Sequence, residues 1–348
     1  MKTVSVSSAS VSNAMRYSQM HMQMELVEAQ KEMTTLKVAD TGLALGTRAS
    51  QSVNFHRDLD RLNTIIDSNG LVALRLGTTQ SALDQIGALA QTLMETLTTA
   101  TTGDLSGAVL SDSGKATLQS LTGLANTALN GEYLFAGTNT DIKPLDDFTA
   151  ADSPAKAAFD AAFFSHFGFT KDDPAAASIT AAQIDDFIIT KVEPQFLGAG
   201  WGNWSSATDQ GIVSRISLNE TVETSVSANN EGIRKLAMAA AMATDLFSGN
   251  LSDEARKAAA TRALSLSGQA ISDLSQIRAQ TGIVQKSVSD ASDRMKTQTD
   301  LFKKHLLDLE GVDPYEAATR VNDLMTHIQT SFALTARIQQ LSLLNYLT

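Results

Sequence analysis

The sequence predicts a mainly α protein. Long helical-bundle or coiled-coil arms form where N- and C-terminal segments pair, and a small α+β or β domain is inserted at the tip. Three observations carry this. Apolar residues recur at helical spacing near both ends of the chain. A long heptad series runs through residues 62–97. The heptads then vanish between 138 and 214, where prolines and aromatics concentrate.

The elements follow in order. Met15, Met22, Ala29 and Leu36 recur every seven residues, with Leu26 and Met33 between them. They mark one apolar stripe on a helix. Residues 62–97 carry Leu62, Ile65, Asn69, Val72, Leu76, Thr79, Leu83, Ile86, Ala90, Leu93 and Leu97 at a and d positions. Gly70, Gly77 and Gly87 interrupt this helix, each costing about 1 kcal/mol relative to alanine. The seam must therefore lean on tertiary packing. Asn69 either sets the register or meets solvent at a bend, and the solvent reading is favoured.

Residues 138–214 hold Pro144, Pro154, Pro174 and Pro194, both tryptophans, and eight of the thirteen phenylalanines. Phe159, Phe163, Phe164, Phe167 and Phe169 call for a small core of their own, so a self-contained, removable insert is expected. Short helices are expected over 155–164 and 180–189, with Phe187–Val192 a strand by an alternative reading.

Val222, Val226, Asn229, Ile233, Leu236, Ala240, Ala243 and Phe247 predict a helix ended by Ser248-Gly249-Asn250, where Gly249 suits a left-handed turn. Ser252 then reads as an N-cap, with Asp253 and Glu254 in the first turn. The next helix carries Ala270, Leu274, Ile277, Thr281, Val284, Val288, Ala291, Met295, Gln298 and Phe302, and stops at Glu310-Gly311-Val312. Asp313-Pro314 restarts a helix as N-cap and first helical residue. The last stripe is Val321, Leu324, Ile328, Phe332, Thr335, Ile338, Leu341 and Leu344.

A single-stripe helix must bury its stripe. The partners available are the opposite end of the chain or another copy. The expected organisation is 1–40 with 312–348 as terminal assembly helices, 41–137 with 215–311 as an inner bundle, and 138–214 as the insert. The expected assembly interface is Met15, Met22, Leu26, Met33, Leu36, Leu324, Ile328, Phe332, Ile338, Leu341 and Leu344.

Composition narrows the function classes. The net charge of −11 disfavours nucleic acid and anionic membrane surfaces. No run of about eighteen apolar residues predicts a membrane span. The start of the chain has no secretory signal core. With no cysteine, thiol nucleophiles, thiolate metal sites and disulfides are excluded. His21, His56, His166, His305 and His327 fall in no metal spacing. Ser111-Asp112-Ser113-Gly114-Lys115 only faintly suggests a phosphate loop and is read as a turn. Met15, Met20, Met22 and Met24 read as packing surface rather than a soft-metal site. No catalytic, cofactor or metal residue is expected, and the chain is not read as an enzyme.

Three segments carry a resemblance. Asn69-Gly-Leu-Val-Ala-Leu-Arg75-Leu76-Gly-Thr-Thr79-Gln80-Ser-Ala-Leu83 resembles the inner helix of flagellins and their junction relatives. Gln329 to Leu347 is similar to the closing helix of that superfamily. Asn130-Gly131-Glu132-Tyr133-Leu134-Phe135-Ala136-Gly137-Thr138 resembles a segment of the hook–filament junction type of hook-associated protein. Residues 37–53 match the family's loop only loosely, without its Asp-Asp motif.

The resemblance implies a structural protein of the bacterial flagellum that joins hook to filament. It implies type III flagellar export of the unfolded chain without a cleaved signal, and an extracellular place. The implied partners are other copies in a ring, a preceding hook-associated protein, flagellin and an export chaperone. Flagellin itself is the alternative. A coiled-coil signalling protein is the competing class.

Overall fold

The computed structural model describes residues 8–102 and 106–344. Its helices are α1 Ser8–Thr35, α2 Thr41–Leu45, α3 Ala49–Thr102, α4 Gly107–Ala125, α5 Pro154–Phe167, α6 Ala181–Phe187, α7 Glu193–Phe196, α8 Glu231–Leu246, α9 Asp253–Glu310 and α10 Pro314–Leu344. Two antiparallel hairpins join them: β1 Ala128–Leu129 with β2 Glu132–Tyr133, and β3 Val213–Ser217 with β4 Glu220–Glu223. The mainly α expectation holds. Contacts divide the chain into residues 1–64 with 295–348, and residues 65–294.

In the first unit the two ends of the chain meet. α1 and α10 pack along each other. They run antiparallel: Gln19 Nε2 donates to Ser331 Oγ at 3.3 Å and Thr335 Oγ1 at 3.1 Å, while Arg320 Nη1 reaches Glu32 Oε2 at 2.8 Å. The open choice of partner is therefore answered within the chain. Asp313 caps α10 as expected, its carboxylate accepting from Tyr315 N at 2.8 Å.

In the second unit the seam of α3 is buried as its heptads require. Leu76, Leu83, Ile86, Ala90, Leu93 and Leu97 lie in the interior. Gly70 and Gly87 face open space, so α3 runs through them unbroken. Asn69 overturns the solvent reading. It is 1% exposed, and its Nδ2 donates to Ile216 O at 2.8 Å and Ser292 Oγ at 3.0 Å. It pins the β3–β4 hairpin between two helices, and so sets register.

The segment around Val222 corrects the helix reading. Val222 lies on β4 and Val226 in the loop after it, and α8 starts only at Glu231. Asn230 caps it, its side chain accepting from Gly232 N at 2.9 Å. The run Thr-Val-Glu-Thr-Ser-Val is rich in β-branched residues, which suit a pleated strand. Gly249 is not left-handed. A Cβ there would lie 2.6 Å from Lys171 O, so the glycine permits close backbone approach instead. Ser252 does cap α9, with Ala255 N donating to its Oγ at 3.1 Å.

Residues 111–115 are helical, not a turn. Gly114 is buried where α4 crosses α8. Phe187–Val192 is helical as well, passing from α6 into one π turn before α7. The regular elements of the insert between Pro154 and Phe196 are thus helical, and the all-β alternative is corrected.

The separate small core is corrected too. Phe148, Phe159, Phe163, Phe187, Phe196, Trp201 and Trp204 belong to one continuous buried cluster with Ile233, Leu236 and Leu246 of α8 and Ala259, Ala263 and Leu266 of α9. Polar contacts seal it. Lys171 Nζ meets the buried Asp245 at 2.6 Å, Trp201 Nε1 donates to Asn229 Oδ1 at 2.8 Å, and Ser252 Oγ donates to Ile179 O at 2.6 Å. The reason is economy of burial: helices as alanine-rich as α8 need large aromatic neighbours to fill the space beside them.

Candidate assembly surface

The expected interface residues divide into those that hold the terminal pair together and those left outside it. Met15, Met22 and Leu26 are half-buried on the face of α1 that also carries the buried Ala29 and Gln19. Leu324 and Ile338 are half-buried and Ile328 is buried on α10. Met33 and Leu36 are exposed, and Leu36 lies beyond the helix end at φ +54°. Phe332 is 51% exposed, and Ser331 takes the facing position instead. Leu341 and Leu344 fall in α10, but their side chains lie outside the described residues.

A second stripe was missed. Tyr17, Met20, Met24 and Val27 are 74%, 57%, 59% and 65% exposed. Their 3-4-3 spacing puts them on one line of α1. At 100° per residue that line is roughly opposite the one packed on α10. Helical spacing separates Met20 and Met24 from Met15 and Met22, although composition groups all four as one packing surface. A helix apolar on opposite faces, with one face already covered, is built for another contact.

The segment Asn130–Thr138 has a structural explanation. Asn130 and Gly131, both at positive φ, make the tight β1–β2 turn. Glu132 and Tyr133 O receive Arg75 of α3, at 2.6 and 3.4 Å. Leu134, Phe135 and Ala136 are fully buried. Gly137, at φ +65°, passes so close to Thr208 that a Cβ would sit 2.4 Å from its Oγ1. Two of the segments that carry the resemblance are thus in direct contact.

Chemistry is not assembled here. Among the described residues no cluster of His, Asp or Glu is arranged to hold a metal ion. His21 pairs with Glu25 at 3.3 Å on the surface, and His166 lies 3.8 Å from Asp186. His305 stacks on Phe55, and His327 is exposed. His56 meets the buried Glu310. A cavity of about 340 Å³ is lined by Asp209, Glu223, Asn229, Gln280 and Thr281, with no nucleophile–base pair. No helix among the described residues is long and apolar enough to cross a membrane.

Paired terminal helices, a contiguous helical core and an exposed apolar stripe define a structural, assembling protein. Family comparison gives the particular class. Residues 6–140 match the bacterial flagellin N-terminal helical region, and residues 264–347 match the bacterial flagellin C-terminal helical region. Together these cover more than half of the chain, which belongs to the flagellin superfamily. It is a structural protein of the flagellum and not an enzyme. Among solved structures, the fold is similar to that of a protein from Vibrio parahaemolyticus described as a flagellar hook-associated protein. The TM-score is 0.52 at 11% identity, over 76% of this chain and 97% of that one. No curated protein sequence matches.

Proposed function

We propose that this chain joins the flagellar hook to the filament, outside the cell. The observation that carries the reading is the α1–α10 pair with its second apolar stripe uncovered. Assembly is assigned to residues 1–40 and 312–348. Met15, Met22, Leu26, Leu324, Ile328 and Ile338 hold the pair together, and Leu341 and Leu344, whose side chains lie outside the described residues, are assigned to the same assembly surface. Tyr17, Met20, Met24, Val27, Met33, Leu36 and Phe332 present it to neighbours. Those neighbours are further copies in a ring, a preceding hook-associated protein, and flagellin. Residues 41–137 with 215–311 form the supporting bundle. The absence of cysteine suits flagellar export of an unfolded chain, attended by an export chaperone, because stray disulfides cannot form. The segment Asn130–Thr138 favours the junction type over flagellin.

Electron microscopy of flagella from a deletion strain tests this. The expected result is hooks without filaments, with monomeric flagellin released into the medium. Shortened filaments still attached to hooks would identify the chain as a flagellin instead.

The surface has its own test. Met24→Asp places a carboxylate on the exposed stripe, where the monomer tolerates it but an apolar contact does not. The thermal midpoint of the monomer is expected to stay within about 2 °C, since exposed substitutions shift stability by less than ~0.5 kcal/mol. Filament number per cell is expected to fall to near zero. Ile338→Asp differs, because Ile338 sits on the half of α10 that faces α1. It is expected to lose both the pair and assembly. Wild-type filament number in Met24→Asp would remove the second stripe from the interface.

A further inference from the structure

The chain crosses itself where α1 ends and α10 begins. Lys37 and Gly311 form an antiparallel bridge. Val38 N donates to Glu310 O at 2.8 Å, and Val312 N donates to Leu36 O at 3.1 Å. Beneath the crossing lies the Glu310 side chain, only 2% exposed. Its Oε1 accepts from Ser52 Oγ and lies 2.8 Å from His56 Nε2, both on α3. Its Oε2 accepts from Lys37 Nζ at 3.0 Å. One carboxylate therefore ties the end of α9, the start of α3 and the linker after α1.

This is a costly place for a negative charge. Burial removes it from water, and it sits at the C-terminal end of a 58-residue helix, the negative end of the helix dipole. Hydrogen bonds from Ser52, Lys37 and His56 offset both penalties. A buried carboxylate held by directional bonds specifies as well as stabilises. What this one specifies is geometry, because its three partners come from segments that must be aligned for α1 and α10 to leave the crossing together. Phe55 of α3 also meets Phe302 and His305 of α9, at centroid distances of 5.5 and 5.6 Å.

We propose that the Glu310 carboxylate is a conformational lock on the chain crossing: it fixes one direction of the α1–α10 pair relative to the adjoining ends of α3 and α9, and frees that direction when its charge is removed. The lock is independent of which flagellar joint the chain serves, since it acts within one molecule.

The charged groups around it set its acid response. Lys37 approaches from the linker and His56 from α3. On α10, Arg320 is engaged by Glu32 and Glu316, and on α1 Lys31 Nζ donates to Ala39 O. Burial works to raise the Glu310 pKa. Hydrogen bonds from Ser52, Lys37 and His56, with the charge of His56, outweigh burial and hold the carboxyl below its ordinary value of 4.5. A depressed carboxyl stabilises the folded form above the unfolded pKa, and that contribution is lost as pH falls through the folded one. The lock is thus closed at neutral pH and opens only in acid.

The chain has no cysteine, so a spin-label pair can be placed uniquely. Arg61→Cys on α3 and Thr330→Cys on α10 are exposed positions in the same unit. Pulsed electron–electron distances are measured on the monomeric full chain. Wild type is expected to give one narrow distribution at pH 7. In Glu310→Met and in Glu310→Gln the distribution is expected to become roughly twice as wide or bimodal, as for a hinge released from one of two states. Wild type in acid, with helicity retained by circular dichroism, is expected to broaden likewise. A narrow, unshifted distribution in both variants would overturn the lock. So would a lowered melting temperature in Glu310→Met with an unchanged distribution, which is the mark of an ordinary structural ion pair. If Glu310→Met does not fold, the volume-conserving Glu310→Gln decides between the same two outcomes.

Discussion

Replacing Gly114 with leucine is expected to destabilise the residue 65–294 unit strongly. At Gly114 the backbones of α4 and α8 nearly touch. A Cβ there would lie 2.7 Å from both Ala240 O and Thr244 N, and 2.8 Å from Ala243 Cβ. These are backbone and short-side-chain atoms on a buried helix, so nothing can rotate aside. Ser111, one turn earlier, donates its hydroxyl to Thr244 O at 2.7 Å and depends on the same closeness. Forcing the helices apart would open the alanine face of α8 along its length. The expected loss is about 3 kcal/mol or more, at the upper end for overpacking. A chemical denaturation midpoint measures it. Gly123→Ala on the same helix is the control. Gly123 is exposed, with open space at its Cβ position, so alanine is expected to stabilise by up to about 1 kcal/mol through helix propensity. Equal effects at the two sites would mean that the α4–α8 approach is not tight in solution.

Deleting residues 141–212 and closing the gap with a Gly/Ser linker is expected to abolish the cooperative melt of the same unit. The proline and aromatic content of that stretch suggests a removable module. Its side chains are nevertheless part of the common core. The deletion removes Phe148, Phe159, Phe163, Phe187, Phe196, Trp201 and Trp204 from beside α8 and α9. It also removes both lysines that meet Asp245 and the glutamate that meets Arg262. Each aromatic lost from a core costs about 3–5 kcal/mol when truncated. Their sum exceeds the ~5–15 kcal/mol stability of a typical domain. Circular dichroism is expected to show reduced helicity and a broad transition, with dye binding to exposed apolar surface. A sharp melt at undiminished helicity would show that α8 and α9 hold together without the insert.

Several features were legible in the residues themselves. The heptads of α3 named most of the side chains that are buried between Leu62 and Leu97. Ser252 and Asp313 announced the starts of α9 and α10, because a capping side chain needs only the backbone a few residues ahead. The two terminal stripes and the segments around Arg75 and Gly131 carried the family. Other features were not legible. The spacing Val222, Val226, Asn229 fits a helix, yet the β-branched residues there pair as a hairpin, which Asn69 anchors through Ile216 O. Helical spacing puts Met20 and Met24 on the other face from Met22, but only the packing of α10 decides which face stays exposed.

The amino-acid order by itself determined the capped starts of α9 and α10 and the apolar periodicity of the long helices, since caps and periodicity act within a few residues of the chain. The tertiary structure alone decided which apolar face is covered, which polar side chain is buried and which glycine is indispensable. Gly114, Asn69 and Glu310 matter through residues at least 126 positions away in the chain, such as Ala240, Ile216 and Ser52. Burial and hydrogen-bond satisfaction depend on what arrives at a surface from elsewhere in the fold, and local spacing does not contain that information.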